Sequence, residues 1–177
     1  EPRITDKTKA IMVNTPSNPT GAVFSEETVK MIMELAEKYD LYVISDEIYD
    51  FLVYEGAHYS LKSLDKDGRV ILVSGASKKY AMTGWRIGYA IASEEIVTLM
   101  NQMMVMMMGN ATAVAQKAAE ASITGPQDFV EESVAIYKAR RDAAVEIFRE
   151  EGVGCYYPHG SFYIMVDIAC CDMDSEE

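Results

Sequence analysis

What this 177-residue chain has little of limits its chemistry. It holds three cysteines, Cys155 and the adjacent pair Cys170 and Cys171, too few for a disulfide framework, and adjacent cysteines rarely bridge each other. A reducing, cytoplasmic compartment is expected. Basic residues are scarce: 16 Lys and Arg against 28 Asp and Glu leave a formal charge of −12. That balance argues against a nucleic-acid or anionic-membrane surface, because such surfaces draw on clustered cations. Any phosphate bound here is then a single ligand in a local site. The two histidines, His58 and His159, read as loop residues rather than acids or bases, and no metal site is expected. No apolar run is long enough to span a bilayer, and the first residues do not read as a signal peptide. The first residue is Glu1 rather than methionine, so a preceding segment is expected. There is no internal repeat and no low-complexity linker. What is present, 49% hydrophobic residues, is enough to bury one substantial core.

Short apolar runs alternate with helical patterns, the rhythm of an α/β domain with a largely parallel sheet. Residues 10–13, 41–44 and 70–73 are apolar enough to predict strands buried on both faces. Between the first two lies a predicted helix with Ser25 as N-cap, Glu26 and Glu27 in its first turn, and Val29, Ile32, Met33, Ala36 and Tyr39 on one side. Residues 87–92 predict a further strand, after which Ser93 caps a helix running through NQMMVMMMGN. Met103, Met104, Met106, Met107 and Met108 are expected there as flexible core filler. A small-residue helix follows over 111–123, then a break at Thr124, Gly125 and Pro126. A long helix over 127–151 ends at Gly152; at about 1.5 Å per residue it is about 36 Å long, enough to bridge two lobes. Residues 161–168 alternate as a strand.

In open α/β sheets, ligands gather beyond the carboxyl ends of the strands. Each of the three predicted buried strands is followed by polar groups suited to a cofactor. After the first comes NTPSNPTG, whose prolines and glycine fix a tight turn and aim Asn18; as a bare turn sequence it is equally well explained. After the second comes SDEIY, with Asp46 and Tyr49 three residues apart. Alone, Asp46 reads as a strand-end acid capping the next turn. After the third comes SGASKKYAMTGWRIG, with Arg86 eight residues beyond Lys78. A lysine used in Schiff-base chemistry needs an amine that can lose its proton. Arg86 offers a planar, permanently charged fork for a phosphate, and Ser77 can add a hydroxyl.

Taken together and in this order, these segments resemble the class I pyridoxal-phosphate (PLP) aminotransferases of fold type I. The lysine-attachment signature matches at Gly75, Ser77, Lys78, Gly84, Arg86 and Gly88, and MTGWRIGYA is typical of the aspartate aminotransferase branch. Further on, Pro158, Gly160, Phe162 and Tyr163 match the family's segment that opens the small domain near the substrate. The resemblance implies that Lys78 carries PLP as a Schiff base and shuttles the substrate α-proton. Asn18 and Tyr49 would meet the phenolic oxygen of PLP, Asp46 would hold the pyridine nitrogen protonated as an electron sink, and Arg86 and Ser77 would bind its phosphate. Lys79 would face solvent and Glu47 would be structural. Many members carry a hydroxyl residue where this chain has Gly75, and Ser74 is its substitute.

The resemblance also implies an organisation. Residues 1–108 would be the C-terminal half of a PLP-binding large domain, 109–152 a helical interdomain segment and 153–177 the start of a small domain. The family's glycine-rich phosphate loop, its stacking aromatic and the arginine that grips the substrate α-carboxylate do not occur in the sequence. A portion of a longer, homodimeric enzyme, inactive by itself, is therefore expected. The substrates would be an amino acid, aspartate or similar, and a 2-oxo acid. Two other functions share the matched residues: a carbon–sulfur lyase or similar fold type I enzyme, and a PLP-binding effector domain of a transcription regulator, which an upstream winged-helix segment would reveal.

Overall fold

Apolar runs punctuated by turn residues build one four-stranded sheet in the computed structural model, which describes residues 2–169. Strands β1 (Ala10–Asn14), β2 (Tyr42–Asp46) and β3 (Val70–Gly75) are parallel. β4 (Gly88–Ile91) returns antiparallel beside β3, and spatial order follows chain order. The register aligns Asn14 with Asp46 and Asp46 with Val73, so the three parallel strands end together.

The β1-to-β2 crossover is α1 (Glu26–Lys38). It starts at Ser25 because that hydroxyl accepts a hydrogen bond from the Thr28 amide at 3.2 Å, and Glu26 and Glu27 lie at the positive end of the helix dipole. Val29, Ile32, Met33 and Ala36, spaced three and four apart, form one buried stripe. It seals against Leu41, Val43, Leu61 and Val70 to make the main core. The remaining helices are α2 (Ala76–Lys79), α3 (Glu94–Met107), α4 (Ala113–Thr124) and α5 (Asp128–Glu150). None of the described helices is long and apolar enough to cross a membrane.

Three expectations are corrected. The strands are not buried on both faces: Val43 is sealed, but Met12 is 72% and Tyr42 50% exposed. Side chains alternate across a strand, and among the described residues a helical layer covers only the face that carries Val43. The methionines of α3 are not buried among the described residues; the helix buries none of its own residues there, and Met106 is 86% exposed. Ser93 stands at its N-cap without a side-chain capping bond. Residues 161–168 form no strand, only the isolated bridge of Val166 to Cys155; a second bridge, Val53 to Gly160, lies just before them. Ser161 adopts φ +55°, which breaks the extended chain where the pattern would begin. Cys155 is a free thiol; Cys170 and Cys171 lie outside the described residues.

An open apolar sheet face beside β4, whose outer edge pairs with no other described strand and which exposes Tyr89 and Ile91, invites pairing with another copy. The 177-residue chain by itself is expected to self-associate. Light scattering behind size exclusion, over a concentration series, measures this; a monomer at every concentration would refute it.

Candidate active site

The parallel strands deliver their last residues to one end of the sheet, and side chains stitch them there. Asn14, closing β1, donates through Nδ2 to the Asp46 carbonyl at 3.1 Å, and its Oδ1 accepts the Asn18 amide at 2.7 Å. This anchor was not evident in the sequence, because nothing local distinguishes Asn14 from the turn residues after it. The turn is held from its far side as well: the Gly21 carbonyl accepts the amides of His159 and Gly160, both at 2.9 Å. Gly21 has φ +70°, and a Cβ there would meet the Pro158 Cβ at 2.3 Å, so the contact requires glycine. The Asn18 side chain itself is exposed.

Asp46 closes β2 half-buried, and its Oδ1 accepts the Ile48 amide at 3.2 Å. The turn that follows carries Tyr49, buried, with its hydroxyl 2.9 Å from that of Tyr163. Burial, the Tyr163 hydroxyl and the Asp46 carboxylate together push the Tyr49 phenol above the usual tyrosine range. Lys78 lies on α2, directly after β3, with Nζ 5.5 Å from the Phe162 ring centroid and 6.0 Å from that of Tyr49. Phe162 in turn meets Tyr49 edge-on at 5.2 Å. Lys78, Tyr49, Phe162 and Tyr163 are therefore one cluster, with Asp46 beside it.

Ser77 precedes Lys78 on α2, half-buried. Arg86 is exposed, in a left-handed conformation with φ +52°, and donates from Nη1 to the Thr83 carbonyl at 3.1 Å. Its guanidinium is thus turned onto its own turn, although the backbone brings it near: Gly88, two residues on, pairs with Gly75, three residues before Lys78. At Gly75 a Cβ would stand 3.0 Å from both the Gly88 Cα and the Ile87 carbonyl, so a hydroxyl-bearing residue there would crowd β4. Ser74, expected to substitute for that hydroxyl, is buried.

Two hydrogen-bonded networks, each centred on a buried charged side chain, lie outside the cluster. Glu47 points away from it and accepts from Ser45 at 2.8 Å, Ser60 at 3.0 Å and His58 Nε2 at 2.8 Å. Burial pushes its carboxyl up, but these donors outweigh burial and hold it below the ordinary value of 4.5. His58, read as a loop residue, is thus a partner of Glu47; eleven residues separate them, with no periodicity to reveal the contact. On α5, Arg141 is buried and binds Glu55 through Nη2 at 2.5 Å and Nη1 at 3.1 Å, while Nη1 also donates to the Pro158 carbonyl. Its guanidinium stacks between Tyr54, at 4.7 Å, and Tyr157, at 4.4 Å. The Arg141 hydrogen bonds hold the Glu55 carboxyl below its ordinary 4.5.

Both carboxylates have folded-state values lowered from the unfolded one, so each contributes stability that is present above about pH 4.5 and lost as pH falls through the lower folded values. Thermal melting followed from pH 7 downward is expected to show a fall in Tm beginning below about pH 4.5. Glu47→Gln should lower Tm at neutral pH and flatten that acid slope. An unchanged slope would remove Glu47 from the effect.

The chain is similar to known proteins. Residues 1–173 match the family described as aminotransferase class I and II. The chain is 43% identical over 176 residues to a probable aspartate aminotransferase of Methanocaldococcus jannaschii, covering 94% of this chain and 45% of that protein. Among solved structures, it resembles an aspartate aminotransferase from Thermus thermophilus with maleate, with TM-score 0.92 and 38% identity over 94% of this chain and 44% of that one. An aromatic aminotransferase from Pyrococcus horikoshii gives TM-score 0.94 at 35% identity, over 99% of this chain and 48% of the other. The chain spans less than half the length of these relatives.

Proposed function

The chain belongs to the aminotransferase class I and II family, and on that premise we propose that it supplies the lysine-bearing part of a PLP-dependent aminotransferase. The reaction moves an amino group between an amino acid, aspartate or similar, and a 2-oxo acid. The observation that carries this reading is the convergence of Asp46, Tyr49 and Lys78 beyond the carboxyl ends of β2 and β3, with the Asn18 turn tied to the same end by Asn14. A carboxylate, a phenol, an amide, a primary amine and a nearby guanidinium form a donor set that fits a basic ring nitrogen, an acidic ring hydroxyl and a phosphate.

PLP bound there supplies an aldehyde carbon open to amines and a ring that withdraws electrons when its nitrogen is protonated. The residues divide the rest. Lys78 would provide the amine at Nζ and take the α-proton of the substrate amino acid. Asp46 would hold the proton on the ring nitrogen. Asn18 and Tyr49 would donate to the ring oxygen, Ser77 and Arg86 would bind the phosphate, and Phe162 would bound the space beside Lys78. Arg86 would reach that role by releasing the Thr83 carbonyl. Residues 1–108 would contribute to a cofactor-binding domain, 109–152 to an interdomain helical segment and 153–177 to the start of a smaller one, in a cytoplasmic homodimer.

The test is a screen of amino donors against 2-oxo acids with the protein expressed at the full length of its gene. Amino transfer from aspartate or a similar donor is expected; elimination products with no transfer would overturn the reading.

A further inference from the structure

The contact between the Tyr49 and Tyr163 hydroxyls, 2.9 Å apart, is not used by the roles above. Each phenol owns a single proton, so only one of the two can donate across the gap. If Tyr49 donated, it would have only lone pairs left for a ligand. If Tyr163 donates, the Tyr49 proton is free for an acceptor on the ligand, and the two bonds run in one direction, each polarising the next.

Tyr163 is held in place to do this. Its neighbour Ser161 is fully buried, its amide donating to the Leu52 carbonyl at 2.9 Å and its hydroxyl to the Ser17 carbonyl at 3.0 Å. The Tyr54 hydroxyl donates to the Ser161 carbonyl at 2.5 Å, and Arg141 fixes Pro158 upstream. The Tyr163 ring also meets that of Tyr49 edge-on, with centroids 5.9 Å apart. The hydroxyl is therefore delivered by a segment anchored to the Asn18 turn, to the loop after β2 and to α5.

We propose that Tyr163 is a positioning residue: its hydroxyl donates to the Tyr49 oxygen and so commits the one Tyr49 proton to the acceptor oxygen of a bound ligand. The inference rests on the PLP reading above and adds to it a residue acting through Tyr49 rather than on the ligand.

The experiment uses the protein at the full length of its gene, loaded with PLP, and follows the visible absorbance of the bound cofactor against pH. A donor to the ring oxygen stabilises its anionic form, so losing that donor raises the midpoint. Tyr49→Phe is expected to raise it by about one to two pH units, the range for a hydrogen bond to a charged acceptor. Tyr163→Phe, which keeps the ring, should raise it by about 0.3 to 0.5 unit through the lost polarisation, and should weaken PLP binding less than Tyr49→Phe does. In the Tyr49→Phe background the second change should add nothing. An unchanged or lowered midpoint in Tyr163→Phe, or an equal shift with and without the Tyr49 hydroxyl, would overturn the proposal. Tyr163→Met, which also lacks the hydroxyl, repeats the titration should the phenylalanine variant fold poorly. Absence of any visible cofactor band in the unmodified protein would instead overturn the functional reading itself.

Discussion

Lys78→Ala is expected to abolish both the visible absorbance of bound PLP and amino transfer, while Lys79→Ala leaves both largely intact. The two lysines are adjacent on α2, where successive side chains project about 100° apart, so they cannot both face the cluster. Lys78 Nζ approaches the Phe162 and Tyr49 rings, whereas Lys79 Nζ lies 6.0 Å over the Tyr80 ring. Removing the only amine within that cluster takes away the attachment point and the proton carrier together. A fall in turnover on the order of 10⁴-fold or more is expected from losing both. Borohydride reduction followed by peptide mapping should place the cofactor on Lys78. A dead Lys79→Ala variant beside an active Lys78→Ala one would show that the register to Arg86 has been misread.

Asp46→Ala should separate holding the cofactor from activating it. The carboxylate stands at the end of β2 with one oxygen engaged by the Ile48 amide, which orients the group. Its assigned partner is a cationic ring nitrogen, and a charge-assisted hydrogen bond of this kind contributes about 1.5–3 kcal/mol. Lys78 remains, so the visible band should persist, while exchange of the substrate α-proton with solvent slows on the order of 100-fold. Asp46→Asn keeps the shape and the Ile48 contact but not the charge, and should be slowed comparably. Near-normal turnover in both variants would remove Asp46 from the mechanism.

Much of this was legible in the sequence because the information is local. Ser25 and the Val29, Ile32, Met33, Ala36 stripe predict the start and the buried face of α1, since an N-cap and a 3.6-residue period are properties of neighbouring positions, although Tyr39, read on the same side, is its exposed C-cap. The strands themselves were legible too, because apolar runs stop near where polar turn residues begin, but the runs read to end at Ile44 and Val73 continue as strand to Asp46 and Gly75. Contacts between segments far apart in the chain were not legible. Arg141, on α5, is buried, because Glu55 and the Pro158 carbonyl, both distant in the chain, supply the acceptors its guanidinium needs in the interior.

By itself, then, the sequence determined the order of elements, the crossover that makes the first strands parallel, and the identity of Lys78, Asp46, Tyr49 and Asn18 as candidates, all of which follow from short-range pattern and family likeness. Only the tertiary structure decided that the outer face of the sheet and the methionines of α3 are open among the described residues, that 161–168 is an anchored segment and not a strand, and that Tyr163 meets Tyr49 across 114 positions of chain. Burial and pairing depend on what packs against a residue, and no local pattern encodes the partner.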